Sequence, residues 1–492
     1  MPGKRLEPMR AGIMATIFIL DFLALEAEAY SHQAGIGDRF GFGCYVQVQG
    51  GIICLSLITY QVQTPNVKAL FFLRHYNDID HVTPVVHKWA ERGHTADVVL
   101  MGDPHFSDDY RIVYLASLDG VRVARIGEIL DRGQLFRMRL QKLLLDRHFR
   151  AAMPGFFNAM LDRVMGKHKR VLFWQKIADI LLQRSFAHGE PGADTSGVVT
   201  FDWISGNSVF PIEFVQTVVD SARERGLGTV SLPHGDSPHA NFLVRVEELS
   251  MEPRLKFAPA KMFDRVVVPN ELCATRFRPF VEDSRVAVLG SPRYCDEWLA
   301  KLEQLLPPSP LEASPGKLKV VMFLRKSDFS IFWDEVGRVV QMLAAFPDVE
   351  LIIKAHTRGG WRQPLSRRAG LRRLKNVRFV AAEIHSSHLL SWSDVVIDIA
   401  TSVAFEAVKL KKPVLAADYL HAGTSTVGAY LPECALHCRD DAYNKLAHCL
   451  KAGCDDFYVT AHRDRFLREI VDVPDADVLP RFVDLLESVV RR

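Results

Sequence analysis

Several short apolar runs along the 492-residue chain end in polar or charged side chains, and together these suit the handling of an activated, phosphate-bearing ligand. The most developed is Asp398-Ile399-Ala400-Thr401-Ser402, which follows a strand expected over residues 394–397. Thr401 or Ser402 can cap the helix expected over 402–409, whose unpaired N–H groups and positive end suit a phosphate. Glu406, one turn on, can accept from ribose hydroxyls. An ordinary helix start with a Glu in its first turn has the same residues. Lys354-Ala355-His356 ends a second strand. There Lys354 can neutralise phosphate charge, and His356 can donate to a leaving phosphate or to the transferred group. Arg325 and Lys326 follow a strand on the same edge. Earlier, Pro233-His234-Gly235-Asp236 closes a run over 228–232. An imidazole titrates near neutrality, so His234 can serve as base for an acceptor hydroxyl, with Asp236 sharing that role or orienting a histidine. Arg293, in Gly290-Ser291-Pro292-Arg293, suits either a phosphate near a hinge or an inter-domain ion pair. His75, Asp78 and Asp80 form a weaker substrate-facing group, and Asp78 equally suits a helix start.

Positioning such residues takes parallel sheets, whose ligands sit beyond the carboxyl ends of the strands. Residues 67–73 read as a buried strand. Val82, Val85, Val86 and Trp89, at offsets 0, 3, 4 and 7, then mark one helix face, Gly93 ends it, and 96–101 is the next strand. The rhythm returns with strands at 198–201, 228–232, 265–268 and 286–289, and helices at 210–223 and from Glu271. A Pro/Ser-rich stretch reads as a linker. A second series follows: strands at 318–324, 350–354, 377–380, 394–397 and 413–416, and a helix near 333–346. The expected organisation is an extension over 1–65, an acceptor-side Rossmann-like domain over 66–304 with a basic helical insertion, and a linker over 305–317. A donor-binding Rossmann-like domain over 318–470 and a C-terminal helix over 471–492 complete it.

A net charge of +3, from 61 Lys plus Arg against 58 Asp plus Glu, gives no global reason to invoke nucleic acid. Local charge differs: residues 131–184 carry twelve Lys/Arg against four Asp, interleaved with apolar residues. That segment suits an anionic membrane or lipid-linked acceptor, or simply a solvated set of packed helices. The eight cysteines include no CxxC pair, which favours thiols in a reducing compartment over a disulfide framework. Cys434, His437 and Cys438 lack a second ligand pair, and Asp78, Asp80 and His81 read as an acidic helix start, so no metal is assigned. There is no GxxxxGK[ST] cradle, and the paired glycines between 35 and 51 precede the first strand. Neither apolar run in the first 65 residues is long enough to span a bilayer, and the expected location is cytoplasmic.

In order, Pro233-His234-Gly235, Gly290-Ser291-Pro292-Arg293, Lys354-Ala355-His356, Asp398 through Ser402 with Glu406, and Lys412-Pro413-Val414-Leu415 resemble a GT-B-fold transferase. The group most similar is the CDP-glycerol glycerophosphotransferases and capsular-polysaccharide transferases. The resemblance runs over roughly residues 66–470, most strongly over about 230–425. It implies two facing Rossmann-like domains and no tightly bound cofactor. A sugar or glycerophosphate would pass from a CDP-, CMP-, UDP- or GDP-linked donor to a hydroxyl of a surface polysaccharide or lipid-linked acceptor. It also implies His234 as base, His356 on the donor side, and Thr401 and Ser402 as phosphate-contacting hydroxyls. The segment at 398–402 departs from the group's usual Asp-Tyr-Ser-Ser pattern, which keeps sugar transfer open beside glycerophosphate transfer. A nonhydrolysing nucleotide-sugar 2-epimerase shares this architecture, and a non-catalytic carbohydrate-binding or assembly protein is the remaining class.

Overall fold

The computed structural model describes residues 66–490, apart from 75, 103–106, 146–153, 165, 187–195, 205–211, 234–241, 244–252, 313–314, 326–328, 357–364, 366–369, 381–383 and 473–476. It also describes the strands β1 (Phe40–Gln49) and β2 (Ile52–Gln61). Residues 1–66 and 67–492 are separate compact units. In the first, β1 and β2 pair antiparallel from Phe40↔Gln61 to Gln49↔Ile52. No strand is expected there from apolar runs alone. The signal is the alternation Val46-Gln47-Val48-Gln49, which suits a strand.

The second unit holds two parallel sheets. The first contains β3 (Lys68–Leu73), β4 (Thr95–Leu100), β5 (Val121–Arg125), β6 (Gly197–Asp202), β7 (Gly228–Leu232), β9 (Arg265–Val268) and β10 (Val286–Val288), in the order β10-β9-β7-β6-β3-β4-β5. The other contains β11 (Leu318–Phe323), β12 (Val349–Lys354), β13 (Val377–Val380), β14 (Val395–Asp398) and β15 (Val414–Ala416), in the order β13-β12-β11-β14-β15. A short antiparallel pair, β8 (Phe242–Leu243) with β16 (Gly423–Thr424), links segments of the two series. Each large sheet grows in one direction and then reverses, between β3 and β6 in the first and between β11 and β14 in the second. Those reversals open crevices at the carboxyl edge.

Helices cover both faces: α1 (Tyr76–Glu91), α2 (Tyr110–Ala116), α3 (Arg132–Leu145), α4 (Gly155–Val164), α5 (Lys167–Phe186), α6 (Ile212–Glu224), α7 (Glu271–Phe277), α8 (Asp296–Leu305), α9 (Trp333–Ala344), α10 (Ser386–Trp392), α11 (Val403–Lys409), α12 (Arg439–Ala452) and α13 (Val478–Val489). The strands are apolar on both sides because helices pack on both. In β3, Ala69, Phe71 and Leu73 face α1 and α13, while Leu70 and Phe72 face α5 and α6. The expected apolar face of α1 is buried whole: Val82, Val85, Val86 and Trp89. The core under Leu70 and Phe72 continues through Tyr294 and Phe405 into the inner face of the second sheet.

The last helix returns to the first sheet. Phe482, Val483 and Leu486 of α13 pack with Phe71 and Val98, and Glu487 meets His94 at 2.7 Å. A Cβ at Gly228 would collide with the Val489 carbonyl, so this approach needs glycine. Among the described residues Cys273, Cys295, Cys434 and Cys438 are free thiols, and Cys449 pairs with Cys454 across a short local loop. No helix among the described residues is long and apolar enough to cross a membrane.

Candidate functional site

At the first reversal, Arg74 follows β3 and Asp202 ends β6. The Arg74 guanidinium donates to Asp202 Oδ1 through Nε at 2.7 Å and also through Nη2, which reaches the Trp203 carbonyl at 3.1 Å. Arg74 is 2% exposed and Asp202 not at all. The Arg74 N–H donates to Asp78 Oδ2 at 2.6 Å, so Asp78 closes the start of α1. That contact fits the helix-start reading of Asp78. Neither Arg74 nor Asp202 stands out in the sequence. The signal was positional, a single charge at the carboxyl end of an otherwise apolar strand.

At the second reversal, Arg325 follows β11 and Asp398 is the last residue of β14, one position further into the strand than periodicity suggests. These two do not bond each other. Arg325 Nη1 donates to the Ala400 carbonyl at 3.0 Å, and Asp398 accepts from the Thr401 N–H at 2.9 Å and from the Thr401 hydroxyl. Burial pushes the Asp398 carboxyl up to about 7, against the opposing pull of Thr401 and Arg325. Ala400 sits at φ 50°, a left-handed conformation costly for a residue with a Cβ. Ser402 occupies the N-cap position of α11 without a side-chain cap bond, and its carbonyl accepts from the Tyr294 hydroxyl at 2.7 Å. The capping expected of Thr401 or Ser402 is therefore absent, because Thr401 is committed to Asp398. With α11 only seven residues long, side chains outweigh its dipole as a source of positive field.

Between the halves, residues from both carboxyl edges meet. Asp80, on α1, accepts from Arg293 Nη1 at 2.9 Å and from Arg111 Nη1 on α2. Arg111 also holds Asp109 at 2.7 Å. On the other side Arg293 Nη2 lies 3.7 Å from Glu406 Oε2, and Glu406 Oε1 accepts from the Ser387 hydroxyl at 2.8 Å. The chain Arg111–Asp80–Arg293–Glu406–Ser387 thus crosses from the first sheet to the second. Burial opposes the Asp80 charge, but Arg293 and Arg111 outweigh it and hold the carboxyl below its usual range. Burial raises Glu406, with Arg293 and Ser387 pulling the other way. His385, before α10, accepts from the Ser387 N–H through Nδ1 at 3.3 Å, and its Nε2 lies 3.4 Å from the Tyr110 hydroxyl. Burial and then Arg111 depress its pKa to about 3, so the ring is neutral, with Nδ1 accepting and Nε2 carrying the proton.

Of the residues singled out from sequence, Arg293 and Glu406 join this chain, and Thr401, Ser402 and Arg325 gather at the second reversal. Lys354, 5% exposed at the end of β12, donates to the Ile384 carbonyl at 2.8 Å, just before His385. His356 is half-buried two residues further on. His75, His234, Gly235, Asp236 and Lys326 lie outside the described residues. Sequence reasoning missed Tyr110, Arg111, His385 and Ser387. The last two follow β13 across a stretch with no motif, and only the topology brings them in. Among the described residues, a His87–Glu91–Glu297 group has ligand-like spacing, but Lys88 bonds both carboxylates, at 2.6 and 2.7 Å, and no metal is assigned.

No protein-family model and no curated protein matches the chain. Solved structures do. A putative UDP-N-acetylglucosamine 2-epimerase from Listeria monocytogenes superposes with TM-score 0.53 at 12% identity, over 86% of this chain and 96% of that one. The S. aureus MnaA–UDP co-structure gives 0.52 at 11%, over 86% and 96%. UDP-GlcNAc 2-epimerase from Neisseria meningitidis bound to UDP-GlcNAc gives 0.50 at 12%, over 86% and 98%. At these identities the likeness speaks for architecture, and the architecture is GT-B: two Rossmann-like α/β halves whose carboxyl edges face one another.

Proposed function

We propose that the protein is an enzyme acting on a nucleotide-activated sugar or glycerophosphate in the crevice between its two sheets, and that it transfers the activated group to a hydroxyl acceptor. The observation that carries this reading is the convergence of Arg111, Asp80, Arg293, Glu406 and Ser387 from both carboxyl edges. The second half holds the nucleotide in this reading. Glu406 accepts from the ribose hydroxyls, while Arg293, Arg325 and Lys354 balance the diphosphate beside Thr401 and Ser402. His356 serves the leaving phosphate, and His234, supported by Asp236, takes the proton of the acceptor hydroxyl. Direct attack on a sugar donor inverts the anomeric carbon. A glycerophosphate donor reacts in line at phosphorus. Closure of the halves excludes water as a competing nucleophile.

The acceptor reading is a glycan or lipid-linked hydroxyl, supported by the basic helices α3–α5 on the first half, which an enzyme working on one soluble substrate does not need. A second reading, 2-epimerisation of the nucleotide sugar, is favoured by the names of the structures it superposes on. Calorimetric titration with UDP, UDP-GlcNAc, CDP-glycerol and CMP- and GDP-linked sugars tests the shared premise. Absence of binding by any of them at millimolar concentration overturns it. Proton NMR of the bound donor then separates the readings. Release of nucleotide only with a glycan acceptor supports transfer, and a C2 epimer formed without acceptor replaces transfer by epimerisation.

A further inference from the structure

Seven of the twelve large hydrophobic side chains most exposed among the described residues fall within 37 positions, on α3, α4 and α5. On α3, Phe136 (66% exposed), Leu140 and Leu143 are spaced four and three apart and form one outward stripe. Met138, about 200° round the helix from Phe136, is the residue that enters the core, beside Trp174 and Ile177. The helix is therefore apolar on two opposite faces, only one of which the protein covers. Arg132 and Arg139 flank the outward stripe on one side and Arg137 on the other, all exposed, and α3 carries no Asp or Glu. On α4, Phe156 (73% exposed), Phe157 and Met160 are uncovered near the exposed Arg163. On α5, Trp174, Ile177, Leu181 and Leu182 are buried while Leu172 points out.

We infer that the exposed apolar and basic side chains of α3, α4 and α5 dock on an anionic bilayer surface, with the aromatic and leucine side chains at the headgroup boundary and the arginines among lipid phosphates. Charge selects that occupant. A second copy would bring arginine against arginine across an acid-poor helix, whereas an anionic surface neutralises each of them. Apolar residues framed by arginines are the pattern of a helix lying in the interface rather than crossing it. The inference does not rest on the transfer reading, since bilayer binding needs no donor. It would place the acceptor side of the crevice near lipid-linked substrates.

Vesicle co-sedimentation of the full chain tests it, comparing phosphatidylcholine with an equimolar phosphatidylcholine–phosphatidylglycerol mixture. Expected is binding to the mixed vesicles roughly a hundredfold tighter than to neutral ones, at about fivefold per basic residue engaged. It should collapse in 1 M salt, where the screening length falls to about 3 Å. Arg132→Ala/Arg137→Ala/Arg139→Ala should remove roughly a hundredfold of affinity. Phe156→Ser/Phe157→Ser should remove at least roughly tenfold. Equal partition onto both vesicle types, or none, overturns the inference in the unmodified protein, whatever the variants do. So does full binding by both variants, which would move the contact elsewhere in the chain. A concentration-dependent dimer abolished by the serine pair would assign the face to a second copy instead.

Discussion

At the reversal of the first sheet Arg74 and Asp202 face each other directly, buried, with two guanidinium N–H groups on Asp202 Oδ1. At the reversal of the second, Arg325 and Asp398 occupy the matching strand ends, yet each turns to a neighbour: Arg325 to the Ala400 carbonyl, Asp398 to Thr401. The same two residue types thus serve different ends. In the first crevice two charges cancel and fix the floor. In the second Arg325 donates to a carbonyl and acts on the carboxyl through its charge, and burial outweighs that pull, raising Asp398 to about 7, where it can exchange a proton near neutrality. Such a crevice is suited to a ligand whose own charge changes during reaction.

The largest effect that could break this contrast is on stability. Arg74→Met takes the guanidinium away from the buried Asp202 carboxylate, and should cost about 3–5 kcal/mol. Arg325→Met removes the hydrogen bond to the Ala400 carbonyl, the contact over the Phe329 ring and a charge pull on Asp398, and should cost about 1–2 kcal/mol. Urea unfolding at pH 8 measures both. Equal losses would mean that the two reversals are built alike.

The next effect is a sign. The Asp398 pKa lies above its unfolded value near 3.8, so the folded state binds the extra proton between about pH 4 and 7. Its contribution to stability is then fully present below pH 4 and lost as pH rises through 7, at about 1.4 kcal/mol per unit of displacement. His385 and Asp80 behave oppositely, whereas burial raises Glu406 in the same direction as Asp398. His385 is depressed from 6.5 to about 3, so the unfolded state binds the extra proton and stability falls as pH drops below 6.5. Asp80, also depressed, adds to that acid loss. Between about pH 4 and 6.5 the Asp398 and His385 contributions oppose each other, so Asp398→Asn should make stability rise more steeply with pH there and leave the slope below pH 4 unchanged. Unfolding free energies measured between about pH 4 and 6.5 would contradict the assignment if the slope there survived the substitution.

Ligand binding sharpens the comparison further. Glu406→Gln keeps an acceptor but loses the charge that holds Arg293, and should weaken nucleotide binding roughly tenfold. Ser387→Ala should weaken it roughly fivefold, through the freedom it gives Glu406. An unchanged dissociation constant in both would detach the inter-sheet chain from the nucleotide.

Much of the scaffold was legible because it rests on local periodicity. The α1 face from Val82 to Trp89 and the strands at 228–232 and 377–380 follow from apolar spacing alone. Arg325, Lys354 and Asp398 were legible as strand-end polar groups, since topology sends every parallel strand's carboxyl end to one edge. What stayed hidden depends on partners distant in sequence. Asp202 means nothing until β6 is known to lie beside β3, and Ser387 and His385 until α10 is known to reach Glu406. The roles of Thr401 and Ser402 misled for a similar reason. A hydroxyl before a helix reads as a cap, and only the buried Asp398 three residues back explains why Thr401 turns away. The α3 stripe was visible as composition but not as direction, because the helix is apolar on both faces and only Met138 shows which one faces in.

The smallest effect probes strain, which among the described residues separates the two reversals again. Ala400 and Lys411 are the non-glycine residues there with positive φ, and Ala400 lies inside the second crevice. Holding a Cβ in that conformation costs about 1–2 kcal/mol. Ala400→Gly removes the cost but loosens the unfolded chain by about 0.4–1 kcal/mol, so a net gain of about 0.5 kcal/mol is expected in urea unfolding. The backbone strain aims the Ala400 carbonyl at Arg325 and turns the Thr401 N–H onto Asp398, keeping the two charges apart. A glycine there relaxes that aim, and nucleotide binding should weaken by about the two- to threefold that a gain of this size corresponds to. Stabilisation without any loss of binding would show the bend to be scaffold, and would leave the separation of Arg325 from Asp398 to Thr401 alone.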